Sequence, residues 1–222
     1  IRDRPIPGEV LPQNIGTMKW DGKIPFKHTE KLSIKRSDDF DEDCLAPQWQ
    51  WNYQPRKDYF SLTERPGWLR LKAYRPLETN NLLKAGNTLT QRTFRKQNND
   101  VTIKMDISNM QDGQKNGLCH FSSQHSAIGI VKEEDACYLE YRKNGNITKG
   151  IQIHSEFVWF RTEWGMDGKS QYYYSLDGDN FLPFGEKYQL TWGNYRGDRI
   201  GIYCFNDKKE TGSVDVDYCH YR

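Results

Sequence analysis

Carboxylates, aromatic rings and planar polar side chains are the groups with which this 222-residue chain could do chemistry. Cleaving a glycosidic bond takes two carboxyl groups that face each other roughly 5–10 Å apart. No pair in the sequence recommends itself for that task. Glu133, Glu134 and Asp135 crowd into one charged turn. Glu156 and Glu163 fall in opposite phase on a continuous strand. The Ser and His residues form no nucleophile–base motif. Groups suited to binding are more plentiful. The C–H faces of a sugar ring stack on aromatic rings, and amides and guanidinium groups suit its hydroxyls. Trp49 and Trp51 share one strand face, with Gln48, Gln50 and Asn52 between and beside them. Trp159 and Arg161 share another face, and Phe160 and Trp164 share the opposite one if that strand stays regular. Each Trp has two readings, a platform for a ligand or a filler of the core, and core filling accounts for most rings in an all-β chain.

Those side chains must be held by strands, because the sequence has almost no helical period. Leu69, Leu71 and Ala73 alternate with Trp68, Arg70 and Lys72. Val101, Ile103, Met105 and Ile107 alternate with Thr102, Lys104 and Asp106. Further alternating runs are Cys137-Leu139-Tyr141, Tyr188-Leu190-Trp192, Ile200-Ile202-Cys204 and Val214-Val216-Tyr218. Turn dipeptides fall between runs at Asp112-Gly113, Asn144-Gly145, Asp167-Gly168 and Asp177-Gly178. About a dozen strands at this spacing predict two packed antiparallel sheets. Residues 1–36 read differently, with four of the nine prolines and little core. They are expected to be an irregular N-terminal arm or linker ahead of a domain at 37–222.

Composition excludes several classes. Lys and Arg total 32 against 30 Asp and Glu, a net charge of +2, too small a field for nucleic acid. No apolar run approaches the roughly 18 residues of a membrane span, and no signal peptide is visible. None of the five cysteines forms a Cys-x-x-Cys pair, so a zinc site is not expected. The chain opens Ile1-Arg2-Asp3-Arg4-Pro5 without Met, which reads as a processed product or a fragment of a longer chain.

Two cassettes carry a resemblance. Ser37 to Asn52 contains D-D-F, and Gly212 to Tyr221 contains D-V-D-Y. Between them lie R-P-G-W-L-R-L-K-A from Arg65, Y-Y-Y-S-L-D-G from Tyr172 and G-D-R-I-G-I-Y from Gly197. In this order they resemble the concanavalin A-like β-sandwich that follows the catalytic propeller in family 43 glycoside hydrolases, the β-xylosidase and α-L-arabinofuranosidase group. The resemblance covers about residues 32–222. It implies an all-β, jelly-roll sandwich with D-D-F and D-V-D-Y on its opening and closing strands. The stretch from Gly8 to Phe26 looks like the last strands of the family's five-bladed propeller, whose three carboxylates would lie upstream of Ile1.

The resemblance also implies functions for particular residues. Asp38 and Asp215, with Asp39 and Asp217 beside them, match positions that can share a structural calcium ion, whose hard charge suits carboxylate and carbonyl oxygens. Their other reading is as solvated strand ends or turn acceptors. Gln91 and Arg92 fall where related sandwiches place polar residues on the concave sheet. With Trp51, Asn52, Trp159 and Trp164 they make the expected sugar-contacting set. Trp192 and Tyr195 match a loop that reaches the partner propeller's active-site pocket. The chain is therefore expected to be a non-catalytic accessory module of an enzyme acting on xylan, arabinan or pectin side chains, in a secreted, periplasmic or cell-surface setting. The alternatives are an independent lectin-like glycan-binding protein and a sandwich hydrolase or lyase with an unfamiliar site.

Overall fold

The computed structural model describes residues 35–94, 96–191 and 197–222. The expected N-terminal arm lies almost wholly outside the described residues, and so do Trp192 and Tyr195. Fifteen strands follow one another in the described part. They are β1 (Gln50–Trp51), β2 (Phe60–Ser61), β3 (Leu69–Lys72), β4 (Thr88–Arg92), β5 (Asn99–Asp106), β6 (Gln114–Phe121), β7 (His125–Glu133) and β8 (Ala136–Lys143). Then come β9 (Asn146–Ile153), β10 (Phe157–Trp164), β11 (Lys169–Ser175), β12 (Leu182–Pro183), β13 (Tyr188–Gln189), β14 (Arg199–Asn206) and β15 (Ser213–Tyr221).

All pairings are antiparallel, and they build two sheets. The seven-stranded sheet runs β1-β4-β14-β6-β7-β8-β9. The eight-stranded sheet runs β12-β11-β10-β5-β15-β3-β2, with β13 pairing to β11. The jelly-roll sandwich is thus the fold. Opening and closing segments meet as expected: Asp38 bridges Cys219, with N–H···O distances of 2.9 and 2.7 Å, and the Ser37 hydroxyl bonds Tyr221.

Side-chain alternation makes the layers. Val101, Ile103 and Met105 of β5 are fully buried, while Thr102 and Lys104 between them reach solvent in part. Val158 and Phe160 do the same on β10, and Leu118, Ile128, Ile130, Leu139, Ile200 and Ile202 answer from the other sheet. Each such aliphatic side chain stabilises by about 1.5–3 kcal/mol on burial. One strand breaks its period. A β-bulge shifts the register of β15 between Val216 and Tyr218, so Val214 and Val216 point inward, and then Cys219 and Tyr221. Tyr218, expected in phase with Val214 and Val216, is turned to the outer face instead. A bulge adds one unpaired residue and so flips every side chain after it.

The seven-stranded sheet carries a second apolar cluster on the face turned away from this core. Cys119, Phe121, Ala127, Tyr203 and Phe205 rise from the sheet, and Leu82 and Ala85 press down on them. Leu82 begins a one-turn 3-10 helix, Leu82–Lys84, whose Leu83 N–H donates to the Asn81 side chain. The segment is tied down. Asn52 Nδ2 donates to the carbonyls of Leu83 and Ala85, both at 3.0 Å, and Thr88 Oγ1 donates to Ala85 O at 2.9 Å. Within the sheet Gly129 leaves room for a neighbouring ring: an added Cβ would lie 2.3 Å from the Tyr203 hydroxyl and 1.9 Å from Asn116 O.

Candidate functional site

The expected sugar-contacting residues do not come together. Gln91 lies in phase with Leu89 on β4 and faces inward at 2% exposure, its amide donating to Arg36 O at 3.1 Å and touching Cys219 Sγ at 3.8 Å. Asn52 is buried and spends its amide on the strap carbonyls just described. Trp51 packs against the core, 4.7 Å from the Phe60 ring. Trp164 is buried in phase with Phe160, and its indole N–H donates to Phe94 O at 2.8 Å. Arg92 is exposed at the end of β4. Trp159 reaches solvent on the opposite sheet. A polar or aromatic side chain on a strand faces a ligand only if its phase opposes that of the buried residues, and Gln91 and Trp164 have the buried phase.

Trp159 belongs to a surface that sequence reasoning saw only in part. On the outer face of the eight-stranded sheet, Lys104 of β5 lies between Trp159 of β10 and Tyr218 of β15. The Trp159 indole N–H donates to the Tyr218 hydroxyl at 3.1 Å. Gly178 closes against the ring, where an added Cβ would sit 3.0 Å from Cε2. The Lys104 ammonium lies 5.1, 5.2 and 5.7 Å from the Trp68, Phe157 and Trp159 ring centroids, and bonds Asp217 at 2.7 Å. Tyr218 stacks on His220 at 4.0 Å, and His220 bonds Asp39. Next along β10, Arg161 pairs with Glu163 at 2.9 Å and approaches the Phe181 ring. The result is a row of half-exposed rings interleaved with cations and hydroxyls. The part the sequence did not show, Tyr218 and His220, is there because of the β15 bulge.

The same face holds a carboxylate pair that the sequence did not reveal. Asp106 and Asp215 sit directly opposite on adjacent strands. Arg65 bridges them at 2.7 and 2.9 Å, and Arg70 grips Asp215 through two further bonds of 2.7 and 2.8 Å. Arg65 also lies 3.8 Å from the Trp68 ring centroid. Burial pushes the Asp106 carboxyl up, but bonds from Ser108 and Arg65 outweigh it and leave its pKa below the usual range. A general acid needs a raised pKa. The Arg65–Asp106–Asp215–Arg70 cluster therefore has the electrostatics of an ion clamp rather than of a hydrolytic pair.

Asp38 and Asp215 do not offer calcium a shared donor set. Asp38 bridges Cys219, four residues beyond Asp215, so about 13 Å of strand separates the two anchor points at roughly 3.3 Å per residue. The Asp38 carboxylate accepts from the Trp49 indole at 2.7 Å and from the Phe40 N–H at 3.1 Å. Two guanidinium groups already surround Asp215. Among the described residues no group of three His, Cys, Asp or Glu side chains is placed to hold a metal ion.

Comparisons with known proteins agree with this architecture. The family described as "Beta xylosidase C-terminal Concanavalin A-like domain" matches residues 37–222. A β-xylosidase of Formosa agariphila is 35% identical over 219 residues, covering 90% of this chain and 37% of that protein. The chain thus spans little more than a third of this curated relative. Among solved structures, a "bifunctional GH43-CE" protein of Bacteroides eggerthii superimposes with a TM-score of 0.76 at 29% identity, over 84% of this chain and 25% of that one. The family 43 protein BlXynB of Bacillus licheniformis gives 0.73 at 23% identity, over 87% of this chain and 40% of that one, a likeness of fold. With its sandwich, its paired opening and closing segments and this match over residues 37–222, the chain belongs to the β-xylosidase C-terminal concanavalin A-like domain family of the family 43 glycoside hydrolases.

Proposed function

We propose that this chain serves as the accessory module of a family 43 enzyme acting on xylan- or arabinan-type polysaccharide outside the cytoplasm, and that it contacts carbohydrate through the outer face of its eight-stranded sheet. A propeller catalytic domain is the proposed partner, and Trp192 and Tyr195 remain the proposed contacts to its active-site pocket. One observation carries the choice of face: Trp159 and Arg161 lie side by side on β10 in partial contact with solvent, while the outward rings Phe121, Tyr203 and Phe205 of the other sheet are covered by Leu82 and Ala85. An aromatic ring next to a guanidinium offers one apolar and one hydrogen-bonding contact to a sugar.

Affinity should be weak, roughly 10 µM to 1 mM, because an open face desolvates few groups. Calorimetric titration of the purified chain with xylo- and arabino-oligosaccharides tests the reading. Binding that Trp159→Ala weakens and Arg92→Ala leaves intact supports it. Binding lost on Arg92→Ala alone would move the contact to the seven-stranded sheet. No binding to either sugar series would leave the module as a wall for its partner enzyme.

A further inference from the structure

Trp159 and Arg161 share a neighbour, the loop of residues 176–181 that joins β11 to β12. A Cβ added to Gly178 of this loop would lie 3.0 Å from Trp159 Cε2 and 3.2 Å from both Cζ2 and Nε1. Cε2 is bonded to those two atoms and set in behind them. A point nearest Cε2 therefore lies over the flat face of the indole and not at its rim. Gly178 closes that face, and the Tyr218 hydroxyl holds the N–H edge. Trp159 keeps its partial contact with solvent through the rest of the ring. Three residues after Gly178, the Phe181 ring centroid lies 5.5 Å from the guanidinium carbon of Arg161. One loop thus backs both side chains.

The loop is itself pinned. Asp177 Oδ1 accepts from the Ser175 hydroxyl at 2.8 Å and from the N–H groups of Asp179 and Asn180 at 2.9 and 2.8 Å. Its Oδ2 accepts from Asn180 Nδ2 at 2.8 Å. The Ser175 hydroxyl oxygen in turn accepts from the N–H groups of Asp177 and Gly178 at 3.3 and 3.0 Å. Ser175 ends β11 and is 1% exposed, so the knot is anchored in the sheet. Gly178 completes the turn at φ +84°, a conformation that glycine reaches without steric cost. Asp177 is exposed, yet it fixes the loop on which Gly178 and Phe181 stand. A ligand that must first immobilise a surface side chain loses affinity to that ordering, and a side chain held in advance spares it the loss.

We propose that Asp177 and Gly178 are positioning residues for the carbohydrate contact: they hold the loop that makes Trp159 a one-sided platform and keeps Arg161 beside it. The sugar then stacks on the ring face that Gly178 leaves free. This role rests on the proposed carbohydrate-binding function and adds what keeps its contact residues in place. The test joins calorimetric titration of the 222-residue chain with xylotriose and arabinotriose to the NMR signal of the Trp159 indole N–H in the sugar-free protein. Asp177→Ala should shift that signal and weaken binding by between about twofold and tenfold, the cost of re-ordering a freed side chain, with a melting temperature near the parent's. Asp177→Asn keeps the oxygen that accepts three of the four bonds and should restore both signal and affinity. Gly178→Ala should also shift the signal and weaken binding, because its Cβ would press on the indole. If the parent binds sugar and either Asp177→Ala or Gly178→Ala leaves the signal or the affinity unchanged, the positioning role is overturned and the wider carbohydrate role stands. Equal losses from Asp177→Asn and Asp177→Ala overturn it too, since the carboxylate would then touch the sugar itself. If neither sugar binds the parent, the positioning role and the carbohydrate role fall together.

Discussion

The two sheets each turn one face away from the shared core, and those faces have met different fates. On the seven-stranded sheet, Phe121, Tyr203 and Phe205 are covered by the strap that carries Leu82 and Ala85, and even the Glu140–Arg142 ion pair beneath Asn80 is buried. On the eight-stranded sheet, Trp68, Phe157, Trp159 and Tyr218 stay half-exposed among Lys104, Arg65 and Arg161. Beside those rings the same face carries small residues, Gly117, Ala127, Gly129 and Gly201, on neighbouring strands β6, β7 and β14. The outward positions of β5 and β10 carry longer side chains, among them Lys104, Trp159 and Arg161. Alternation along a strand tells which side chains leave the core. Whether they then meet water depends on what else the chain lays over them.

Removing one partner of the covered ion pair should have the largest effect. Arg142→Ala leaves Glu140 buried without its cation and should cost about 3–5 kcal/mol in chemical denaturation. Leu82→Ala should cost about 2–5 kcal/mol through the cavity it opens. If Leu82→Ala instead left stability intact and raised sugar affinity, the strap would be a lid and the contrast between the faces would collapse.

Acid should probe the seven-stranded sheet from both sides: among the described residues His125 is buried in the outward phase of Ala127, and His120 is buried facing the core, its Nε2 2.9 Å from Thr162 Oγ1 of the other sheet. Burial lowers the His120 pKa to about 3, and burial with Arg142 lowers that of His125 to about 4. Both lie below the ordinary value near 6.5, so the unfolded chain takes up protons that the folded chain refuses. Their contribution is complete above about pH 6.5 and is lost as pH falls toward the folded values, by about 1.4 kcal/mol per unit for each histidine. Melting curves at pH 7, 5.5 and 4.5 should show a steady fall, and a flat profile would refute buried neutral imidazoles.

Changes on the open face should be milder. Trp159→Ala should cost about 1 kcal/mol of stability while reducing sugar binding, and a loss as large as that of Leu82→Ala would mark Trp159 as core. Smallest of all is the expected effect of chelation. With Asp215 held by Arg65 and Arg70, EDTA should leave the melting temperature unchanged, whereas a drop reversed by calcium would restore the metal clamp between first and last strands.

Much of the architecture was legible in the sequence, because period-2 burial is a local property. The runs at Leu69–Ala73, Val101–Ile107 and Ile200–Cys204 face the core as their alternation indicates, and Asn144-Gly145 makes the β8–β9 turn with both residues at positive φ. The shared face of Trp159 and Arg161 was legible for the same reason. So was the inward phase of Gln91, which stands two residues from Leu89 on β4 and so shares its face. Other features have no local signature. The bulge at Val216–Tyr218 arises from pairing with β5 and redirects Tyr218 and His220. The union of Asp106 with Asp215 joins residues 109 positions apart and is held by Arg65 from a third segment. The strap joins Leu82 and Ala85 to Phe121, Tyr203 and Phe205, residues far from them in sequence. The sequence by itself determined the sandwich, its turns and which side chains leave the core. Tertiary structure decided which outward face stays open and which carboxylates meet, since both depend on contacts between distant strands that no run of neighbouring residues encodes.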